Sequence, residues 1–329
     1  MKYRVGIIAD LHLDDRNTGR HKNYYANCCD ICNQITDMIT REGITHLIFL
    51  GDLFGNTQHI VKKQSSRVHF TEHFAKWNML TNGNVYSVAG NHDRGAYATD
   101  FDLLCASGLV KHPKELLLDE TCFHFIDYGE DTRAIQVRPD SYNVALMHAH
   151  LTIEGQTDYI RIQGGTPLSE LVNLAGCGLV VCGHIHNPSG HYMQTRIANQ
   201  AVSLYYPGNP TRPRKEPDLW DEASMLVIEC ADDGSICDRA VKFDLKPIDE
   251  LFFEVDKNGV EVADDGTQVN VEVLGQILQN LQNYQLVVDG GYKEQLERFG
   301  AMDVEAKEMA LRYIEKAASS DSDNGNPNN

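Results

Sequence analysis

The sequence lacks any apolar run approaching the 18 or so residues that a membrane span requires. The opening stretch, MKYRVGIIAD, also lacks the long apolar segment and small-residue cleavage site of a secretory signal, and enters a strand-like run at once. A cytoplasmic setting is the expectation. No cysteine framework is present either. The nine cysteines are odd in number, and Cys29-x-x-Cys32 is the only C-x-x-C, with no second pair to complete a zinc site. That pair falls on a helical stripe with Cys28, Ile31, Ile35 and Met38, which reads as thiols packed in a core. No internal repeat occurs. Positive charge is scarce: 29 Lys and Arg face 47 Asp and Glu, a net of −18. Such a surface repels polyanions, which excludes a stand-alone nucleic-acid-binding module. A phosphate substrate would need a local positive feature, and bound metal ions are one such feature.

What is present is a core. Of 329 residues, 42% are apolar, which excludes wholesale disorder and allows about two domains. The first 210 residues alternate strand and helix signals. Strand-like runs cover Val5–Ala9, Thr45–Leu50, Asn84–Ala89, Tyr142–Met147 and Gly178–Cys182, and helical periodicity covers 24–41 and 58–80. This order predicts an α/β layered fold. Strands recur with few helix signals over 115–138 and 201–256, which predicts antiparallel additions to the sheets. The composition changes near Lys246-Pro247. Residues 249–289 carry nine acids against Lys257 alone. The domain expectation is therefore a main domain over 1–246, a small acidic lobe over 247–300, an amphipathic helix within 301–317 and a disordered tail over 318–329. In the helix, Ala306, Ala310, Tyr313, Ile314 and Ala317 share one face behind a possible Asp303 cap.

Each of the five strand-like runs ends in residues that bind metals. Asp10-Leu-His12 closes the first, Gly51-Asp52 the second and Gly90-Asn91-His92-Asp93 the third. His148-Ala-His150 follows the fourth, and Gly183-His184-Ile-His186 the fifth. Ligands gather beyond the carboxyl ends of strands in open α/β sheets, so five distant stretches can meet at one point. The residue types suit two cations, which need an anion between them, and Asp52 is the natural bridge. Asp10, His12 and His186 would complete one site. Asn91, His184 and one histidine of the 148/150 pair would complete the other. Mixed nitrogen and oxygen donors suit Mn²⁺, Fe²⁺ or Zn²⁺ better than Mg²⁺ or Ca²⁺. His92 neighbours a ligand but should point elsewhere, where an imidazole can bond a phosphate oxygen or protonate a leaving alkoxide. Asp93 is expected to orient it or to cap the next helix. Bases that could hold a phosphate backbone are Arg16, Arg20 and Lys22; Lys62, Lys63 and Arg67; and Arg94, Arg212, Arg214 and Lys215. Of these, Arg94, Arg212 and Arg214 follow motifs at the expected mouth.

These five blocks resemble the motifs of the calcineurin-like metallophosphoesterases, and most closely those of SbcD-type DNA repair exonuclease subunits and their phage counterparts. Three stretches carry the closer likeness: Ala149-His-Leu-Thr-Ile-Glu-Gly155, Gly183-His-Ile-His-Asn-Pro188 and Tyr205-Tyr-Pro-Gly-Asn-Pro210. The likeness covers about residues 1–256. It implies a four-layer αββα sandwich of two mixed sheets with a small C-terminal lobe. It also implies a two-metal phosphodiesterase, with two Mn²⁺ ions and a bridging hydroxide, that acts as a DNA exonuclease or endonuclease in repair or recombination. The implied partners are DNA, an SbcC-like SMC-type ATPase and a second copy of the chain, in a bacterial or phage-infected cell. Helix 303–317 would be a docking element for the ATPase. The likeness aligns His150 with the family ligand and His92 with its catalytic histidine. Gly55 departs from the family, which commonly carries His or Asp there, and the acidic C-terminal lobe argues against DNA contact by that lobe. The competing expectations are a small-molecule or nucleotide phosphodiesterase or phosphatase of the same superfamily, and a non-catalytic scaffold that retains the fold.

Overall fold

The structure, a computed structural model, describes residues 2–16, 21–55, 63–95, 98–132, 135–152, 166–189, 193–213, 222–231 and 235–253, with the strand backbones 261–262 and 268–269. The elements in order are β1 (Tyr3–Ile8), α1 (Tyr24–Glu42), β2 (His46–Phe49), α2 (Gln64–Leu80), β3 (Val85–Ser87), α3 (Asp100–Ala106), β4 (Glu115–Leu118), β5 (Thr121–Ile126), β6 (Tyr142–His148), β7 (Leu151–Thr152), β8 (Thr166–Pro167), β9 (Cys177–Gly183), β10 (Met193–Ile197), β11 (Gln200–Tyr205), β12 (Ser224–Cys230), β13 (Ile236–Lys242) and α4 (Ile248–Leu251).

Two large mixed sheets result. The first runs β13-β12-β1-β2-β3 and the second β10-β11-β9-β6-β5-β4. In the first, β1, β2 and β3 are parallel, and β12 and β13 join antiparallel. In the second, β5, β6, β9 and β11 are parallel, with β4 and β10 antiparallel at the edges. This is the mixed α/β sandwich expected of the sequence.

The period-2 alternation of each strand decides which layer a side chain joins. Val5, Ile7, Ile48 and Leu50 face the second sheet and pack with Phe123, Phe125, Val144, Leu146, Leu179 and Val181. Ile8, Leu47, Phe49 and Val85 face the opposite way, onto the helices through Ile31, Ile35, Phe70, Phe74 and Trp77. The outer face of the second sheet buries Ala145, Met147, Val180 and Cys182 beneath the 3-10 turns Leu168–Glu170 and Val172–Leu174. Helix α1 begins where Asn23 Oδ1 accepts from the Ala26 amide at 3.0 Å, and ends at Gly43 with φ of 64°. Cys28 and Cys32 are buried on its inner face, and the nine cysteines are free thiols. No helix among the described residues is long and apolar enough to cross a membrane.

The chain divides into two compact units, Met1–Phe252 and Phe253–Asn329. The first extends through α4 because Phe252 is fully buried, its ring 4.6 Å from that of His21. In the second unit Glu261–Val262 pairs antiparallel with Gln268–Val269. The expected helix 303–317 and the tail 318–329 lie outside the described residues, as does most of the acidic lobe.

Candidate metal centre

Parallel pairing places the carboxyl ends of β1, β2, β3, β6 and β9 at one edge of the sandwich. The connecting backbone is tied together there. Leu50 N donates to Ile8 O at 2.8 Å, His12 N to Asp52 O at 2.8 Å and Val88 N to Phe49 O at 3.1 Å. Four residues at this edge hold left-handed backbone: Asp10 (φ 53°), His12 (45°), Asp52 (50°) and His184 (79°). None is glycine, and such conformations cost about 1–3 kcal/mol each when the surroundings impose them. The strain turns side chains inward that would otherwise follow the strand's alternation. The backbones also approach too closely for side chains at Gly51, Gly90 and Gly183. A Cβ on Gly90 would lie 2.1 Å from Asp52 Oδ1, and one on Gly183 would lie 2.6 Å from Leu50 O.

Three overlapping groups of donors form. Asp10, His12 and His186 gather in one, Asp52, His148 and His184 in another, and His12, Asp52 and His92 bridge them. Asp52 thus stands between the two sides. Its Oδ2 lies 3.6 Å from His12 Nε2 and 3.3 Å from His148 Nε2, while its Oδ1 accepts from the His92 amide at 2.8 Å. Asn91 Oδ1 lies 3.0 Å from both His148 Nε2 and His184 Nδ1. The Asp10 carboxylate accepts from the His184 amide at 3.0 and 3.1 Å.

The direction of the lone pairs shows that these donors fit a cation. His148 Nδ1 is 2.7 Å from the Leu50 carbonyl, which accepts only, so the ring's proton belongs on Nδ1. Its Nε2 then faces Asp52 Oδ2 and Asn91 Oδ1. On the other side, His12 Nε2 and His186 Nε2 meet at 3.1 Å. Nitrogen and oxygen atoms that converge this closely, held together by protons or by a cation, are an arrangement a divalent ion satisfies.

Burial sets the protonation states accordingly. It pulls His184 and His186 down to about 4, with neighbouring His148 adding to the effect in both, and holds His12 well below its ordinary value. These rings are therefore neutral, the ligating form, at neutral pH. Burial pushes the Asp10 carboxyl up to about 7, against the pull of His148. His148 itself is driven up to about 9. Burial opposes this, but the Asp52 hydrogen bond and the charges of Asp10 and Asp52 outweigh it. A cation would relieve both excesses by replacing a proton.

Asp10, His12, Asp52, Asn91, His184 and His186, singled out in the sequence, all meet here. His150 does not join them, and His148 takes that place. The reason is register. His148 ends β6 opposite Gly183, whereas the chain has left β6 before His150 and points that ring away, 6.1 Å from the His184 ring. The other donors lie one to four residues beyond the last paired residue of their strands, so distance from the strand end alone did not separate His148 from His150. His92 stands at the mouth. Its side chain is 33% exposed, its Nε2 is 4.0 Å from Asp52 Oδ2, and its ring is 5.0 Å from His12. Asp93 neither orients His92 nor caps α3. Its carboxylate accepts from Leu53 N and Gly90 N at 3.0 and 2.9 Å, sewing the second loop to the third, and Thr99 caps the helix.

The expected phosphate-holding bases fare unevenly. Arg94 is half-exposed beside the centre and donates to Asp127 at 3.0 Å. Arg212 is buried and donates to the Lys246 carbonyl, so it braces the fold and does not present charge to solvent. Arg16 is paired with Asp14, and Arg67 with Asp100 at 2.9 Å. Arg20, Lys62, Arg214 and Lys215 lie outside the described residues. The space at Gly55 is taken by Asp14, whose Oδ2 lies 3.1 Å from where a Cβ would stand.

The Tyr-Tyr-Pro-Gly-Asn-Pro turn braces the centre. Asn209 N donates to His186 O at 2.9 Å, and Ser189 N to Tyr206 O at 3.0 Å. Beyond it, Thr211 Oγ1 donates to Leu11 O at 2.8 Å, and Tyr24 Oη to His12 O at 2.9 Å. The Tyr206 hydroxyl reaches the Leu151 carbonyl at 2.8 Å, which joins two of the sequence blocks that are far apart in the chain.

Residues 3–233 match a family model described as the calcineurin-like phosphoesterase superfamily domain. No curated protein matches the chain. Among solved structures, a dimetal phosphatase from Danio rerio is similar at 12% identity, covering 74% of this chain and 99% of its own, with a TM-score of 0.46. Vps29 from Entamoeba histolytica, complexed with zinc, is similar at 14% identity over 73% of this chain and 99% of its own, with a TM-score of 0.36. A single mutant of the same protein gives 14%, 73%, 99% and 0.34.

Proposed function

The chain belongs to the calcineurin-like phosphoesterase superfamily, and we propose that within it this protein is a Mn²⁺-dependent nuclease that hydrolyses phosphodiester bonds in DNA. The observation that carries the reading is the convergence of Asp10, His12, Asp52, Asn91, His148, His184 and His186 in two donor groups, one of Asp10, His12 and His186 and one of Asp52, His148 and His184, linked through the approach of Asp52 to His12. Support for DNA as the substrate comes from the H-L-T-I-E-G and Y-Y-P-G-N-P blocks, whose Leu151 and Tyr206 hydrogen-bond beside the centre.

Asp10, His12 and His186 would hold one ion and Asn91, His148 and His184 the other, with Asp52 between them. Ions bound there would supply acidified water as nucleophile and offset charge on the phosphoryl oxygens. The chain's own contribution is positional and acid–base. Neutral buried rings and strained loops hold the donors without reorganisation during reaction. His92, exposed at the mouth, is placed to donate a hydrogen bond to a phosphoryl oxygen or a proton to the leaving 3′ or 5′ oxygen. Arg94, one residue beyond Asp93, offers a half-exposed guanidinium for an adjacent phosphate. The resemblance further supports action with an SMC-type ATPase and as a homodimer.

A second reading, a phosphodiesterase or phosphatase of nucleotides or small esters, is favoured by the net charge of −18 and by the burial of Arg212. One experiment separates them: end-labelled duplex and single-stranded DNA, and separately p-nitrophenyl phosphate esters, incubated with the protein and Mn²⁺, with and without a candidate ATPase. Metal-dependent DNA shortening supports the nuclease. Ester hydrolysis with intact DNA under every condition overturns it.

A further inference from the structure

A cavity of about 320 Å³ opens beside the metal centre. Met147, Ala149, Leu151 and Leu171 give it an apolar lining, and Tyr128 and His150 stand in its wall. Those two rings also flank the centre. The Tyr128 ring lies 5.5 Å from that of His184 and 5.9 Å from that of His148, and the His150 ring is 6.1 Å from His184. Cavity and metal centre therefore share a wall.

Three features restrict what the cavity can hold. First, Nε2 of His150 is buried and makes no hydrogen bond among the described residues. A buried polar atom left unpaired is costly, so it signals a missing partner. Second, Tyr128 offers a ring face, and the rest of the lining is largely apolar. Third, neither Lys nor Arg is among the described lining residues, whereas Asp127 and Glu130 are. Both carboxylates are already engaged: Asp127 accepts from the Ala89 amide at 2.8 Å, and Glu130 accepts from Lys114 at 2.9 Å. The described lining thus offers no Lys or Arg to a second phosphate. It suits a flat, uncharged group that carries hydrogen-bonding edges.

We infer that this cavity receives the nucleobase of the nucleotide whose phosphate lies at the metal centre, with Tyr128 as the stacking face and His150 Nε2 bonded to a base edge. The inference rests on the reading of the centre as a nucleic-acid phosphodiesterase and names how its substrate is held. A base must leave the helical stack to enter, and leaving is cheapest at an end or in a single strand. Stacking on an aromatic ring tolerates every base, so the site discriminates presence of a base more than its identity.

Calorimetric titration of the full chain, with and without Mn²⁺, tests this by comparing the four deoxynucleoside 5′-monophosphates with 2-deoxyribose 5-phosphate. The expected result is that each nucleotide binds about ten-fold or more tightly than the sugar phosphate, as one stacked base supplies. Tyr128→Ala should erase most of that ratio, and Tyr128→Phe, which keeps the ring, should retain it. His150→Ala should lower nucleotide affinity more than sugar-phosphate affinity. Equal binding of the two ligand classes, no nucleotide binding, or Tyr128→Ala weakening both classes alike overturns the inference. Base-dependent binding without DNA cleavage would sink the nuclease reading and leave the cavity assignment standing. DNA cleavage with equal binding would do the reverse.

Discussion

Nε2 of His12 and Nε2 of His186 meet at 3.1 Å, across 174 positions of chain, in a site where burial keeps both rings neutral. At that distance the two nitrogens need either a shared proton or a cation between them, and a divalent ion there would hold both rings together with Asp10. Chelation is therefore expected to cost stability as well as activity. Protein stripped with EDTA should melt several degrees below protein loaded with Mn²⁺, since saturation at 100 times Kd contributes about 2.7 kcal/mol. Differential scanning fluorimetry checks this, and metal analysis should find close to two ions per chain. Asp52→Asn, which removes the shared carboxylate, should lose bound metal and the Mn²⁺-dependent rise in Tm. An unchanged Tm on loading would mean that the donors do not form a metal site.

The identity of the fourth-strand ligand gives a sharper test. His148 is fully buried with Nε2 aimed at Asp52 and Asn91, whereas His150 faces the neighbouring cavity. His148→Ala should lower metal content to at most one ion per chain and abolish metal-dependent hydrolysis. His150→Ala should keep the wild-type metal content. Mass-spectrometric metal analysis of both variants, after circular dichroism has shown them folded, decides the matter. The opposite pattern would restore His150 as the ligand.

That exchange marks what the sequence could and could not convey. Strand runs ending in Asp, Asn, His or Gly signal their own positions, because a buried strand has a period and a length. The two mixed sheets and six of the seven gathered donors were therefore legible. H-A-H was not decided, because both rings share one face of an extended chain and only the last paired residue of β6, His148 opposite Gly183, separates them. The fate of the arginines was equally hidden. Arg212 looks like a surface base after a turn. Yet its left-handed backbone, φ of 46°, and its bond to the Lys246 carbonyl turn it inward. Tyr128 and Asp127 carried no local signal, since their importance comes from neighbours that β5 meets only in the folded sheet.

His92 lies next to Asn91 in sequence and meets the donors only at His12 and Asp52, with one third of its side chain exposed. Its removal should separate binding of metal from turnover. His92→Ala is expected to retain two ions per chain and a wild-type Tm, while the rate of phosphodiester cleavage falls about 10²–10⁴-fold, the usual contribution of a positioned acid. The loss should be smaller for p-nitrophenyl esters than for DNA, because p-nitrophenolate leaves without help from a proton. Equal losses on both substrates would assign His92 to phosphoryl contact and remove its role as acid.

Asp127 provides a pH prediction outside the donor set. Burial acts to raise its carboxyl, but the His112 hydrogen bond, the Ala89 amide and the charges of His112 and Lys114 hold it well below the ordinary carboxylate value. A carboxyl with a depressed folded-state pKa contributes stability that is present above the unfolded value of about 4 and is lost as pH falls through the folded one. Asp127→Asn should therefore destabilise the protein most near pH 6–7. Its partners Arg94, His112 and Lys114 are partly exposed, so the loss is screened and should be about 1–3 kcal/mol. In a chain of this size that lowers Tm by a few degrees. The gap between wild type and variant should narrow steadily as pH falls below about 4, because protonation removes the same charge from the wild type. Thermal melts of both proteins across pH 3–7 measure the gap. A gap that stays constant over that range would show that Asp127 acts by packing and amide geometry, with no net gain from its charge.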